Sequence, residues 1–443
     1  MSDKNKLNLQ WIYLTAITVF AIAIRFWFIN HIPTVQVFDF KTYHEIASNI
    51  YNHQGHSLWG QPVAWQGMGY STALGLFYML LGNDSIHIAK LFNCILSIFS
   101  LPLMFLIFRK LSSNKVVVCG AYTLVALLPN FIAYNNVVGT EVFFTFLFAL
   151  IIFLQLYSFN NWVRYPLLGI AIGLSALTKP FFLAYPLVVG LYIWLKNKDG
   201  RETLALVLTV IILMTMVVSP WTLRNFHKYG SFIPISYNSG YVLYVNNNAY
   251  NVTGAWMPLE KIPASPQLQK QIEAELAENQ GSEKLAPHLD KVLKPAAKQW
   301  IKDNPGGFAR LGLLRIKQTF FSGAWDVKSW TMNEMAKTEQ VSPMRFQRNL
   351  NAFYAVADIL VYILSSAGIL YLLLNIKPLL LGLFTRRRLS DAILIPSLNM
   401  AFFLAIYFVF EGQARYNYPL LFLFIICMFI IGQKTSEGLQ RSD

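Results

Sequence analysis

The chain reads as an all-α membrane protein: about ten transmembrane helices, juxtamembrane helices and a helical domain on the outer face. Three observations predict this class. Of its 443 residues, 55% are hydrophobic and only 13% charged, and the mean hydropathy is +0.43, outside the range of soluble domains. Apolar runs near the roughly 20 residues needed to cross about 30 Å of hydrocarbon recur along the chain. Basic residues gather in alternate connections, as topology requires.

In order, the expected spans cover 11–30, 86–108, 115–132, 142–158, 163–178, 181–196, 203–220, 353–374, 391–410 and 418–433. The fifth and sixth are short and meet at Thr178-Lys179-Pro180. The apolar run 71–81 is too short to span and reads as re-entrant or interfacial. The expected organisation is a membrane module over 1–220 with a first outer loop at 31–85, an outer-face domain over 221–352, and C-terminal membrane helices over 353–443. Within the first loop, Tyr43, Ile46, Ala47 and Ile50 recur at helical spacing, which predicts an amphipathic helix beginning near Asp39. Gly55 and the stretch from Gly60 to Gly69 break it. In the central region 267–280 and 284–303 read as helices, punctuated by Pro263, Pro266, Pro287 and Pro305. Its 16 basic and 10 acidic residues leave it positively charged.

Orientation follows from the short connections. Starting from a cytoplasmic N-terminus, 15 Lys and Arg residues fall inside and five (Arg25, Lys41, Lys90, Lys179, Arg415) fall outside or near the outer surface. Both termini are therefore expected in the cytoplasm, in an integral protein of a bacterial inner membrane, without a cleavable signal peptide. The net charge of +14 is then largely topological, and nucleic-acid binding is a poor explanation for it. Cys94, Cys119 and Cys427 all lie in expected spans, so neither a disulfide framework nor a thiolate metal site is implied. A phosphate-cradling Gly-Lys-Ser/Thr loop, a Gly-x-Ser-x-Gly elbow and an Asp-x-Asp pair are absent from the sequence, which disfavours ATP-driven transport, hydrolases of the elbow type and nucleotide-sugar donors.

In such a chain each charge near a span is a functional candidate. Asp39 stands first, just beyond the first span. Asp39-x-x-x-Tyr43-x-Glu45-Ile46-Ala47 resembles the first outer loop of polyprenyl-phosphate-sugar-dependent membrane glycosyltransferases of the GT-C type. These include the aminoarabinose transferases of lipid A and, more distantly, the protein O-mannosyltransferases. Further pieces follow in the same order: Gly69-Tyr70, Leu128-Pro129 before a polar patch leading to Glu141, and Gly173-Leu174-Ser175-Ala176-Leu177-Thr178-Lys179-Pro180. Pro220-Trp221-Thr222-Leu223-Arg224-Asn225 and Gly412-Gln413-Ala414-Arg415-Tyr416 complete the series. The central 240–350 region matches no such motif. Phe40 stands where the aminoarabinose transferases carry a second acid, so a paired-acid or metal role loses support.

The resemblance implies that Asp39 acts at the reacting centre, as base toward an acceptor hydroxyl, and that Glu141 is a second catalytic carboxylate. Lys179, Arg224 and Arg415 are the expected partners of the lipid phosphate, with Tyr43, His44 and Tyr416 as weaker candidates for sugar or acceptor contact. The partners implied are a polyprenyl-phosphate-linked hexose or pentose, a lipid A, lipopolysaccharide, lipid-linked glycan or protein acceptor, and the bilayer. A divalent cation stays open, and no ligand spacing indicates one.

Each residue also has a plainer reading. Asp39 is a favoured helix N-cap, Glu45 a solvated surface acid, Glu141 a carboxylate at a helix N-terminus. Lys179 would snorkel, Arg224 would meet lipid headgroups, and Arg415 would be an interfacial anchor paired with Glu411. The rival function is a transporter or flippase of an amphipathic lipid. Transporters commonly carry internal repeats, and the sequence has none.

Overall fold

The computed structural model describes residues 3–334 and 344–439. It is helical nearly throughout. The helices are α1 (Asp3–His31), α2 (Asp39–Tyr51), α3 (Gly69–Leu81), α4 (Ile86–Leu111), α5 (Lys115–Leu127), α6 (Pro129–Ala133) and α7 (Thr140–Leu156). Next come α8 (Asn161–Thr178), α9 (Tyr185–Asn197) and α10 (Gly200–Tyr229), then α11 (Ser239–Asn246), α12 (Pro266–Asn279), α13 (Leu285–Asp303) and α14 (Pro305–Phe320). Three long helices close the chain: α15 (Met344–Phe384), α16 (Asp391–Val409) and α17 (Leu421–Leu439). The strands β1 (Ser57–Leu58) and β2 (Gln61–Pro62) form a short antiparallel hairpin in the first loop.

Among the described residues six helices are long and apolar enough to cross a membrane. The pair α5–α6 makes a seventh, bent by 43° where Pro129 removes a helical N–H. The other three of the ten expected spans are α7, α8 and α9, with 17, 18 and 13 residues. At 1.5 Å per residue, 13 residues reach only about 20 Å, so these helices fall short in length or apolarity. The apolar run expected at 71–81 is α3, a 13-residue helix.

The bundle is held by close packing of small residues. Gly169 and Gly173 of α8 face α10, where a Cβ would sit 2.8 Å from Leu213 and from Val217 respectively. This is the four-residue small-residue spacing that lets apolar helices approach. The centre of the bundle is the start of α17, whose residues from Leu421 to Cys427 are fully buried. By contrast Leu9, Ile12, Val19 and Phe20 of α1, and Leu204, Leu208 and Ile212 of α10, are exposed, as lipid-facing surfaces are. Arg25 of α1 is fully buried. Its guanidinium donates to the carbonyls of Ala21 (2.9 Å) and Ala126 (2.7 Å) and to Ser97 Oγ (2.9 Å).

The central region differs from its expected limits at both ends. Helix α10 runs past residue 220 to Tyr229, and α15 begins at Met344. Residues 335–343 of the expected 221–352 domain lie outside the described residues. Helices α11, α12 and α13 share a small core of their own, including Leu243, Tyr244, Leu268, Leu293 and Ala297. Arg315 of α14 ties this region to the bundle. Fully buried, it donates to the carbonyls of Phe408 (2.6 Å) and Val409 (3.1 Å) at the end of α16, to Asn247 Oδ1 (2.7 Å) and to the Asn246 carbonyl. Cations favour helix C-termini for the same electrostatic reason.

Candidate active site

Where α1 ends and α2, α7 and the segment before α17 begin, the chain encloses a cavity of about 1000 Å³. Asp39, Glu141, Lys179 and Arg415, spread over most of the chain, meet in its wall. Asp39 is the first residue of α2 and caps nothing. Its carboxylate instead accepts from Arg415 Nη2 on Oδ2 (2.9 Å) and from Gln66 Nε2 on Oδ1 (2.8 Å). Its side chain is 40% exposed and that of Arg415 11%. Phe38, just before the acid, has φ 49° and ψ −127°, a region that side chains rarely adopt and that clusters at functional sites. Glu45 pairs with Lys41 on the exposed face, 3.6 Å away.

Glu141 opens α7 with a side chain only 4% exposed. Its Oε1 lies 3.9 Å from Lys179 Nζ and 3.9 Å from Arg415 Nε, and neither oxygen has a hydrogen-bond partner among the described residues. At that separation the interaction is Coulombic. Glu141 is thus a desolvated counter-charge between two cations. Lys179 reaches the site because Pro180 disfavours helical backbone in the residue before it. Helix α8 ends there and Lys179 is extended, with φ −129° and ψ 99°. Arg415 is held by rings as well as acids: its guanidinium lies 5.0 Å from the Trp330 centroid and 5.5 Å from both Phe40 and Tyr416. Such contacts orient a guanidinium without neutralising it.

Tyr43 and Tyr416 both line the cavity. Tyr416 donates to Glu411 Oε2 at 2.8 Å, and Gln413 also reaches Glu411. The expected Glu411–Arg415 pair is therefore replaced, because Glu411 faces its own loop while Asp39 and Glu141 take Arg415. Two expected site residues lie elsewhere. His44 contacts the Tyr78 hydroxyl (2.9 Å) away from the cavity, and burial lowers its pKa. Arg224 is consumed by the first loop. It donates to the carbonyls of Val63 (3.1 Å) and His56 (3.0 Å), and it covers the Trp221 ring at 4.5 Å. That loop then delivers Gln66 to Asp39, so Arg224 organises the site from outside it.

Gln66 and Trp330 escape sequence reasoning. Gln66 sits in a Gly-rich stretch with no pattern, and Trp330 belongs to a segment with no recognisable motif. The cavity also has an apolar wall, including Phe144, Phe181, Leu183, Ile406 and Pro419. Among the described residues no group of three His, Cys, Asp or Glu side chains is arranged to hold a metal ion.

One cavity thus combines three acids (Asp39, Glu141, Glu411), two cations (Lys179, Arg415) and an apolar wall. The model of the dolichyl-phosphate-mannose-protein mannosyltransferase family matches residues 15–235, about half of the chain. Over those residues the chain is similar to that membrane glycosyltransferase family. Its fold is similar to that of the oligosaccharyltransferase AglB of Archaeoglobus fulgidus in complex with an inhibitory peptide and a dolichol-phosphate. That match has a TM-score of 0.51 and 15% identity, and it covers 99% of this chain and 52% of the other. The same archaeal enzyme tethered to an acceptor peptide matches with a TM-score of 0.50 and 15% identity, over 97% and 50% of the two chains. ArnT from Cupriavidus metallidurans bound to undecaprenyl phosphate is similar at a TM-score of 0.44 and 13% identity, over 98% and 79%. The chain spans about half the length of the archaeal enzyme. No curated protein matches its sequence.

Proposed function

We propose that the protein transfers one monosaccharide from a polyprenyl-phosphate carrier to a hydroxyl acceptor on the outer face of the membrane, with inversion. The observation that carries this reading is the meeting of Asp39, Arg415, Lys179 and Glu141 in one cavity with an apolar wall. The apolar wall suits an isoprenoid chain and the two cations suit its phosphate. A phosphate leaving group needs charge stabilisation and no proton, so the second, proton-donating carboxyl of glycosidases is dispensable.

The acceptor oxygen attacks the anomeric carbon as the bond from that carbon to the phosphate oxygen breaks. The carrier leaves as polyprenyl phosphate with the bonding electrons, and the acceptor proton passes to Asp39. Arg415 already holds Asp39 Oδ2, so an arriving phosphate competes for the guanidinium and frees the carboxylate when the donor is seated. Glu141 keeps both cations from being drawn wholly to Asp39. The distribution of basic residues supports chemistry on the outer face with the termini in the cytoplasm.

The test is transfer by purified full-length protein supplied with a polyprenyl-phosphate hexose or pentose, an extract of envelope acceptors and no energy source. Asp39→Asn is expected to abolish transfer while the protein still accumulates. Normal transfer by that variant would remove Asp39 from the role of base. If the wild type consumes no lipid-linked sugar, the reading fails and lipid translocation takes its place.

A further inference from the structure

We infer that the ledge formed by Trp65, Tyr241 and Trp256 is the acceptor subsite, and that it takes a neutral saccharide ring; this rests on the transferase reading above. The two oxygens of Asp39 define two sides. Oδ2 faces Arg415 and so the phosphate, whereas Oδ1 faces Gln66. Trp65, the residue before Gln66, lines the same cavity as Asp39.

The ledge is braced from behind. The Trp65 ring lies 5.0 Å from Tyr241 and 5.9 Å from Tyr237, centroid to centroid. The Tyr237 N–H donates to the Ala64 carbonyl (3.0 Å), and the Tyr241 N–H donates to Asp290 Oδ1 (2.7 Å). Asp290, a buried residue of α13, thereby fixes the start of α11, the helix carrying Tyr241. Trp256 lines the same cavity and is 46% exposed.

The chemistry around these rings selects the ligand. Every charged residue lining the cavity (Asp39, Glu141, Lys179, Glu411, Arg415) belongs to the catalytic cluster or its loop. The cavity lining beside Tyr241 also supplies neutral polar groups: Ser236, whose Oγ donates to Asn238 Oδ1 (3.0 Å), and the amide N–H groups of Asn238. A pyranose offers an apolar C–H face to an aromatic ring and a rim of hydroxyls to neutral donors and acceptors. Peptide capture by strand addition needs a free sheet edge. Among the described residues the strands are two residues long, and none of their residues lines the cavity.

Saturation-transfer NMR on the purified full-length protein tests the assignment with four probes: mannotriose, cellotriose, an N-acetylglucosamine trimer and a Ser/Thr peptide. Transfer to the ring C–H protons of at least one trisaccharide is expected, at least tenfold weaker in both Trp65→Ala and Trp256→Ala. Trp256→Ala guards against misfolding, because that side chain is half exposed. Undecaprenyl-phosphate binding, measured in parallel, should be unchanged in both variants and lost in Arg415→Ala. Saturation of the peptide alone, or saccharide signals that survive both substitutions, would overturn the subsite. Saccharide binding without any lipid-phosphate binding would leave the ledge standing and sink the transferase reading instead.

Discussion

Asp39 and Arg415 together carry the proposed chemistry, and each is constrained by a different kind of neighbour. Asp39→Asn keeps the shape and the Gln66 contact but cannot accept a proton, so transfer should fall by roughly 10²–10⁴-fold, the usual worth of a general base. Initial rates at saturating donor check this. Arg415→Lys keeps the charge and loses both the Nη2 bond to Asp39 and the ring contacts with Trp330, Phe40 and Tyr416. The expected outcome is a donor KM raised at least tenfold with a smaller change in kcat, because a compact ammonium cannot take up that planar geometry. Phe38 offers a complementary case. Its left-handed backbone costs about 1–3 kcal/mol that glycine would not incur, and its ring is 83% exposed. Phe38→Gly should raise the thermal midpoint in detergent, and a lowered midpoint would mean that the ring is held by its surroundings.

Among the elements, the first loop and α8 act as the mounts of the site. His56 in that loop is half-buried beside Arg224, with its Nε2 out of solvent, and packs on Trp221 at 4.8 Å, with Nδ1 3.1 Å from the Val63 carbonyl. Burial, and then the nearby guanidinium, push its pKa down to about 4. The fold therefore holds the neutral ring. Its stabilising share is complete above about 6.5 and is lost as pH falls from there through about 4, by up to roughly 3 kcal/mol. The midpoint of thermal unfolding should drop over that window in the wild type, and His56→Phe should flatten the drop. Helix α8 ends at Lys179, and its position is set by the contact of Gly169 and Gly173 with α10. Gly173→Val puts a branched side chain where a Cβ already meets Val217 at 2.8 Å. Overpacking of this kind costs about 1–3 kcal/mol. It should shift Lys179 and weaken polyprenyl-phosphate binding as well as lower the melting temperature.

At the scale of the whole molecule, legibility followed periodicity and charge. Long spans such as α4, α10 and α16 stand out because lipid selects composition over many residues. Helices α7, α8 and α9 were read as spans, yet their shortness shows only in the structure, where neighbours cover what lipid does not. Asp39, Glu141, Lys179 and Arg415 were legible because a charge is costly near hydrocarbon. Arg224 carried the same signal and faces the first loop, since sequence reveals that a charge needs a partner without saying which. Gln66, Trp65, Trp330 and Tyr241 were not legible: neutral and aromatic residues are common in membrane chains, and only folding brings these four to one cavity wall. The anomeric outcome also belongs to this scale, because it depends on donor and acceptor approaching from different walls of one cavity. Product analysis by NMR should find inverted configuration, and retention would exclude direct displacement.

Arg415 enters the chain only at its last hairpin, while Asp39 is made near the start. A nascent polypeptide halted anywhere before residue 415 holds an acid with no guanidinium to face it. On the proposed chemistry, most of the chain is therefore made before a working centre can form, and competence comes only with the segment that carries Arg415.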